Sequence, residues 1–138
     1  MPKLLLLLML LCISSLGCQK HIQKEDDMIT TASGLQYKIL KEGTGEEAKV
    51  GQDVKIHEST SYRDGTLIFS SEGMKPIQFT LGGKIVIEGV DEGIRGMKKG
   101  EIRKLIVPTS LSKRSSYPPI LSKDSILVYQ IELIDIVN

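Results

Sequence analysis

At 138 residues, 41% of them apolar, the chain has room for one domain with a modest core. It has no Trp and only 4% aromatics, so any aromatic pocket is sparse. Lys+Arg number 18 against 17 Asp+Glu, and a formal net charge of +1 offers no electrostatic footprint for nucleic acid.

The chain begins with Lys3 and an apolar run from Leu4 to Ile13. The run is too short to span a bilayer as a permanent helix and reads as a signal peptide over residues 1–17. Ser15-Leu16-Gly17-Cys18 resembles a bacterial lipobox, in which the Cys becomes the lipidated first residue, although Ser15 stands where Leu is usual. On that reading Cys12 and Lys3 leave with the leader. Cys18 is then the one remaining thiol, so no intrachain disulfide forms, and the charge falls to 17 against 17. Attachment to a bacterial membrane would rest on acyl chains, each buried CH₂ contributing about 0.8 kcal/mol, since no polybasic patch is present. The alternative is an ordinary signal peptide cleaved elsewhere, which leaves Cys18 a plain thiol.

Residues 18–32 are polar, charged and without a sustained period, as expected of a tether. His21 and His57 have no partner at metal-ligand spacing, so neither is read as a ligand.

From Ser33 the pattern is β. Leu35, Tyr37 and Ile39 alternate with polar residues until Gly43-Thr44-Gly45. A second strand begins at Val54 and Ile56 and runs towards Tyr62. Asp64-Gly65 is a strong hairpin signal, with a return strand starting at Thr66. Ser70 to Pro76 is loop, and Ile77-Gln78-Phe79 resumes a strand that Gly82-Gly83 breaks. Val86, Val90, Ile94 and Met97 are spaced four, four and three, which is one face of a helix. Gly100 ends this helix after Lys98 and Lys99, two cations where the helix dipole favours them. Ile102, Leu105 and Val107 start a strand that stops at Pro108. The Ser-rich stretch from Thr109 to Asp124 is a long loop, of a kind that is usually functional. Leu127, Tyr129, Ile131, Leu133 and Val137 share one parity in a long closing strand with both faces at least partly buried. The elements predict an α+β fold: about five antiparallel strands packed on one short helix.

From about Thr31 to Val137 the chain resembles the FKBP-type peptidyl-prolyl isomerases. The landmarks stand in order: Ser33 to Tyr37, Gly43-Thr44-Gly45, Val50 to Val54, Asp64-Gly65, Pro76 to Gly82, Val86 to Gly89, Glu92-Gly93 and Met97 to Glu101. The resemblance implies an FKBP-like domain over residues 33–138, an antiparallel half-barrel wrapped around one helix, with an apolar cup for a proline ring. It places Val86 and Ile87 at the base of the cup, with the Ile87 N–H expected to bind a substrate carbonyl. Ile77, Phe79, Leu121 and Tyr129 fall at its walls. Four places depart from the family pattern. Val90 stands where most members have Trp, Glu58 where a Tyr is usual, and Ser112 where a second Tyr is expected. The familiar Phe-Asp is either Ile68-Phe69, without a gap, or Phe69-Ser70, with one inserted residue; the acid is absent on both.

Turning an X–Pro bond crosses a barrier of about 18–20 kcal/mol set by amide resonance. No covalent bond breaks, so no nucleophile, metal or cofactor is required, only tighter binding of the twisted amide. Two functions fit. One is a weak isomerase acting on proline-containing or unfolded envelope polypeptides; the other is a non-catalytic chaperone or protein-binding module on the same scaffold. Any one of the apolar wall residues taken alone is better explained as plain core; only as a set converging on one concavity do they suggest a pocket.

Overall fold

A computed structural model describes residues 27–137, so the leader, Cys18 and most of the tether lie outside the described residues. The strands are β1 (Ile29–Thr30), β2 (Gln36–Lys41), β3 (Thr44–Glu47), β4 (Asp53–Tyr62), β5 (Leu67–Ser70), β6 (Ile77–Thr80), β7 (Lys98–Lys99), β8 (Ile102–Val107) and β9 (Leu127–Val137), with one α-helix, α1 (Glu88–Ile94). Seven strands form an antiparallel sheet in the order β1-β2-β8-β9-β4-β5, with β6 also paired to β4. β3 and β7 make a separate two-stranded ribbon. The α+β class and the sheet around one short helix therefore agree with expectation. The strand count exceeds five because two-residue and ribbon pieces carry too little pattern to be seen in sequence.

Helix α1 has seven residues, too short to persist alone. It is held by its apolar face: Val90, Ile94 and the following Met97 are 2%, 0% and 0% exposed. Gly89 and Gly93 let it lie directly on β8, since a Cβ at Gly89 would come within 2.5 Å of Val107 and one at Gly93 would collide with Leu105. The helix ends earlier than Gly100. It stops at Arg95, and Gly96, at φ 80°, turns the chain so that its N–H meets the Ala48 carbonyl at 2.9 Å. Lys98 and Lys99 thus do not complement the helix dipole but pair with β3. That pairing also explains Gly43, where a Cβ would lie 2.6 Å from the Lys98 carbonyl oxygen.

The cation at the helix C-terminus comes instead from β8. Arg103 Nη1 donates to the carbonyls of Gly93 and Arg95, each at 3.2 Å, while its Nε pairs with Glu101. Glu101 also accepts the Lys98 N–H at 2.9 Å, and the Arg103 guanidinium sits 4.9 Å over the Tyr37 ring. Both ions are buried, so the pair is a fully bonded unit in the floor of the fold. The core side here is therefore Glu101, just ahead of β8, with Arg103, Leu105 and Val107 of the strand, and Ile102 faces the other way.

In β9, Leu127, Tyr129, Ile131 and Leu133 all point to the core. Val137 does not continue that face. Asp135 pairs with Lys55 but Leu133 with Ile56, so Ile134 is the extra residue of a bulge, and beyond it Ile136 packs on the core. The folded region also begins before Ser33. Ile29 and Thr30, assigned to the tether by sequence, pair with Tyr37 and Gln36. The Thr31 and Ser33 hydroxyls donate to the Glu92 carboxylate of α1 at 2.7 and 2.8 Å.

Candidate functional site

The site is built on the segment between β6 and α1. Gly82, at φ 79°, reverses the chain, and Lys84 follows at φ 56°, a left-handed conformation uncommon outside glycine. Asp91 holds this segment to the helix: its carboxylate accepts the Gly82 N–H at 2.7 Å and the Arg95 Nε at 2.9 Å. Ile87 is extended at φ −61°, ψ 151°, and its carbonyl accepts the first helical N–H groups, from Val90 and Asp91, at 3.1 Å. The apolar pair Val86-Ile87 is thus fixed immediately ahead of the helix.

Above Val90 lies an open hollow of about 490 Å³. Val86, Ile87 and Val90 form one side, Tyr129 of β9 and Glu58 of β4 another, and Lys84, Ile85 and residues 113–116 the rim. Glu58 belongs to the inward parity of β4, in line with buried Val54, Ile56 and Thr60. Burial pushes its carboxyl above the ordinary value of 4.5, and the charge of Arg114 opposes that rise. The Tyr129 phenol accepts a hydrogen bond from Arg114 Nη2 at 2.7 Å. Burial pushes this phenol above 10.0, Arg114 working against the rise and Glu58 with it.

The long loop after β8 is pinned to the sheet. The Tyr62 hydroxyl donates to the Ile120 carbonyl at 2.6 Å and accepts the Ser122 N–H at 2.9 Å. The Tyr117 hydroxyl accepts the Arg114 N–H at 3.1 Å. These bonds position Lys113 and Arg114 over the hollow.

Of the residues singled out from sequence, Val86, Ile87, Val90 and Tyr129 meet at the hollow, with Glu58 beside them. The others are placed elsewhere. Phe79 and Leu121 are buried core, at 4% and 7% exposure, and Ile77 packs half-buried against that core. Phe69 is 39% exposed on the outer face of β5, while Ile68 turns inward onto the core. Phe69 is therefore not a wall of the hollow, and the ungapped register, with Ile68 inward, matches the strand's alternation. Ser70 borders a different hollow, of about 340 Å³, with His57 and Glu72, and its hydroxyl accepts the Glu72 N–H at 3.2 Å. Ser112 is buried and donates to the Thr109 carbonyl at 3.3 Å. Cys18 lies outside the described residues.

The family model for the FKBP-type peptidyl-prolyl cis-trans isomerases matches residues 44–134. The chain is a member of that family. FK506-binding protein 2 of Yarrowia lipolytica is 37% identical over 116 residues, which is 83% of this chain and 81% of that protein. The FKBP-type isomerase FkpA of Buchnera aphidicola is 42% identical over 110 residues, 78% of this chain but 43% of that protein. Among solved structures, FkpA from Escherichia coli superposes with a TM-score of 0.71 at 33% identity, covering 82% of this chain and 53% of the other. AtFKBP13 gives 0.71 at 29% identity, covering 80% and 99%. This chain thus spans about half the length of the FkpA proteins it matches.

What sequence reasoning missed in this FKBP domain is its polar framework. Arg114 has no pattern that ties it to Tyr129, because the two meet only through the loop. Glu101 and Arg103 did leave a trace: they share parity with Leu105 and Val107, the core side of a strand. Among the described residues no group of three His, Cys, Asp or Glu side chains converges as a metal site.

Proposed function

We propose that this FKBP domain isomerises X–Pro bonds in proline-containing or unfolded polypeptides, at a modest rate. The observation that carries the reading is the open hollow of about 490 Å³ over Val90, with Val86, Ile87 and Tyr129 at its sides. With a proline ring seated there, the Ile87 N–H would bind a substrate carbonyl outside the twisting amide and so hold the chain while that amide twists. The apolar side formed by Val86, Ile87 and Val90 would weaken hydration of the carbonyl whose resonance must be lost, and so favour the twisted state over the planar one. The rate is expected to be modest because Val90 offers a small floor and Glu58 brings a carboxylate where an apolar wall would exclude water better. The Cys18 lipobox resemblance and the similarity to bacterial FkpA support a place on the bacterial envelope, tethered by lipid, with envelope polypeptides as clients.

One feature favours a second reading, a non-catalytic chaperone or protein-binding module. The hollow is bordered by Glu58, Lys84, Lys113 and Arg114, and charged groups keep water in a site whose catalysis needs it excluded. The purified chain decides between them. Exchange of a model X–Pro peptide, followed by NMR, should exceed the spontaneous rate, which runs on the order of tens to hundreds of seconds. Exchange equal to buffer at high protein concentration, together with suppressed aggregation of a denatured client, would establish the binding module instead.

A further inference from the structure

The hollow over Val90 adjoins a second one, of about 500 Å³, beside the start of the helix. The two share Lys84, Val86, Ile87 and Lys113 as borders. Lys84 comes from the loop after β6 and Lys113 from the loop after β8, so two cations on separate loops overlook both hollows. Each is solvent-exposed, and among the described residues neither is ion-paired.

The charges around the first hollow are lopsided: Lys84, Lys113 and Arg114 against Glu58. The whole chain carries only +1, so this excess is local. Arg114 is committed to Tyr129 and faces Glu58, whose carboxyl is itself pushed towards neutrality by burial. In the second hollow Asp91 is neutralised by Arg95 at 2.6 Å, and exposed Glu88 is the one acid left to oppose the lysines. Lys84 and Lys113 therefore leave a net positive charge, opposed only by exposed Glu88, beside the place where a bound peptide must run.

We infer that Lys84 and Lys113 make this site select X–Pro peptides in which an acidic residue adjoins the proline. The inference rests on the proposed seating of the proline over Val90. The competing feature is Ile85, 67% exposed at the same rim, which would reward an apolar neighbour instead. The lysines offer charge from two separate loops, whereas Ile85 presents a single side chain open to water, and the Leu-Pro peptide below sets the one against the other. Since both lysines are exposed, the preference is modest: about 2- to 5-fold, the range of solvent-exposed ion pairs, and it weakens as salt screens the charges.

The test uses the purified full chain and four peptides that differ only beside the proline: Glu-Pro, Pro-Glu, Leu-Pro and Lys-Pro. The expected result is a kcat/KM for at least one Glu peptide about 2- to 5-fold above those for Leu-Pro and Lys-Pro at low salt. That gap should close in the Lys84→Gln/Lys113→Gln variant, which keeps a polar side chain at each position and removes both charges. A Leu-Pro preference, or a gap unchanged in the variant, overturns the inference while leaving the isomerase reading intact. If no peptide is turned over faster than in buffer, the isomerase reading fails, and binding titrations of the same peptides, read at Val90 and Tyr129 by NMR, decide the inference. Tighter binding of a Glu peptide then sustains it; equal or undetectable binding overturns it.

Discussion

Arg114 reaches from the long loop to the Tyr129 hydroxyl, 2.7 Å away, and so joins the rim of the hollow to the central strand of the sheet. Fifteen positions separate the two residues. The bond orients a loop side chain and a core ring at once, and breaking it should affect the site more than the fold.

Tyr129→Phe keeps the ring and removes the acceptor. Its isomerase kcat/KM should fall by up to about tenfold, the equivalent of one hydrogen bond of about 0.5–1.5 kcal/mol, with the urea midpoint little changed. Arg114→Ala should give a similar loss, and the double variant should lose no more than either single one, as expected of partners in one contact. Independent, additive losses would show that the two residues do not act through each other.

Glu58 supplies a pH dependence. Its carboxyl is raised above 4.5 by burial, so between that value and its folded pKa the native state holds more proton than the unfolded chain. Stability must then decline as pH rises through this window. Glu58→Gln removes the penalty. Relative to the parent, the variant should gain more stability at pH 7 than at pH 4, measured by urea denaturation. Parallel pH profiles for the two proteins would contradict the assignment.

Gly93 tests the contact of helix and sheet. A methyl group there would collide with the Leu105 side chain in a core with little room to relax. Gly93→Ala should cost about 1–3 kcal/mol, an overpacking penalty that outweighs the better helix propensity of Ala. Adding Leu105→Val should recover part of it. A neutral or stabilising Gly93→Ala would mean that the helix does not lie this close to β8.

Arg103→Leu strands Glu101 as a buried, unpaired charge and should cost about 3–5 kcal/mol. Replacing both residues by Leu should be less damaging than Arg103→Leu alone, though the Gly93 and Arg95 carbonyls would still lose their donor. If the double variant is the weaker protein, the pair contributes more than mutual neutralisation.

Alternation and turn chemistry along the chain were enough for the larger elements. Leu35 to Ile39, the spacing of Val90 and Ile94, and the parity of Leu127 to Leu133 each report a local period, and the Asp64-Gly65 turn a local conformation; such signals survive in one dimension, whereas Val86 and Met97, read as part of the same helical face, lie outside α1. From these came the α+β class and the placing of Val86, Ile87 and Val90 in one short segment. Where the helix stops was decided by Gly96 meeting Ala48, and the side of β5 that faces the core was decided by its pairing with β4. The charged border of the hollow was decided when two loops, held by Asp91 and Tyr62, brought Lys84, Lys113 and Arg114 around Glu58 and Tyr129. Contacts of this kind join residues far apart in the chain and leave no repeating signal, because their geometry exists only once the sheet has closed around the helix.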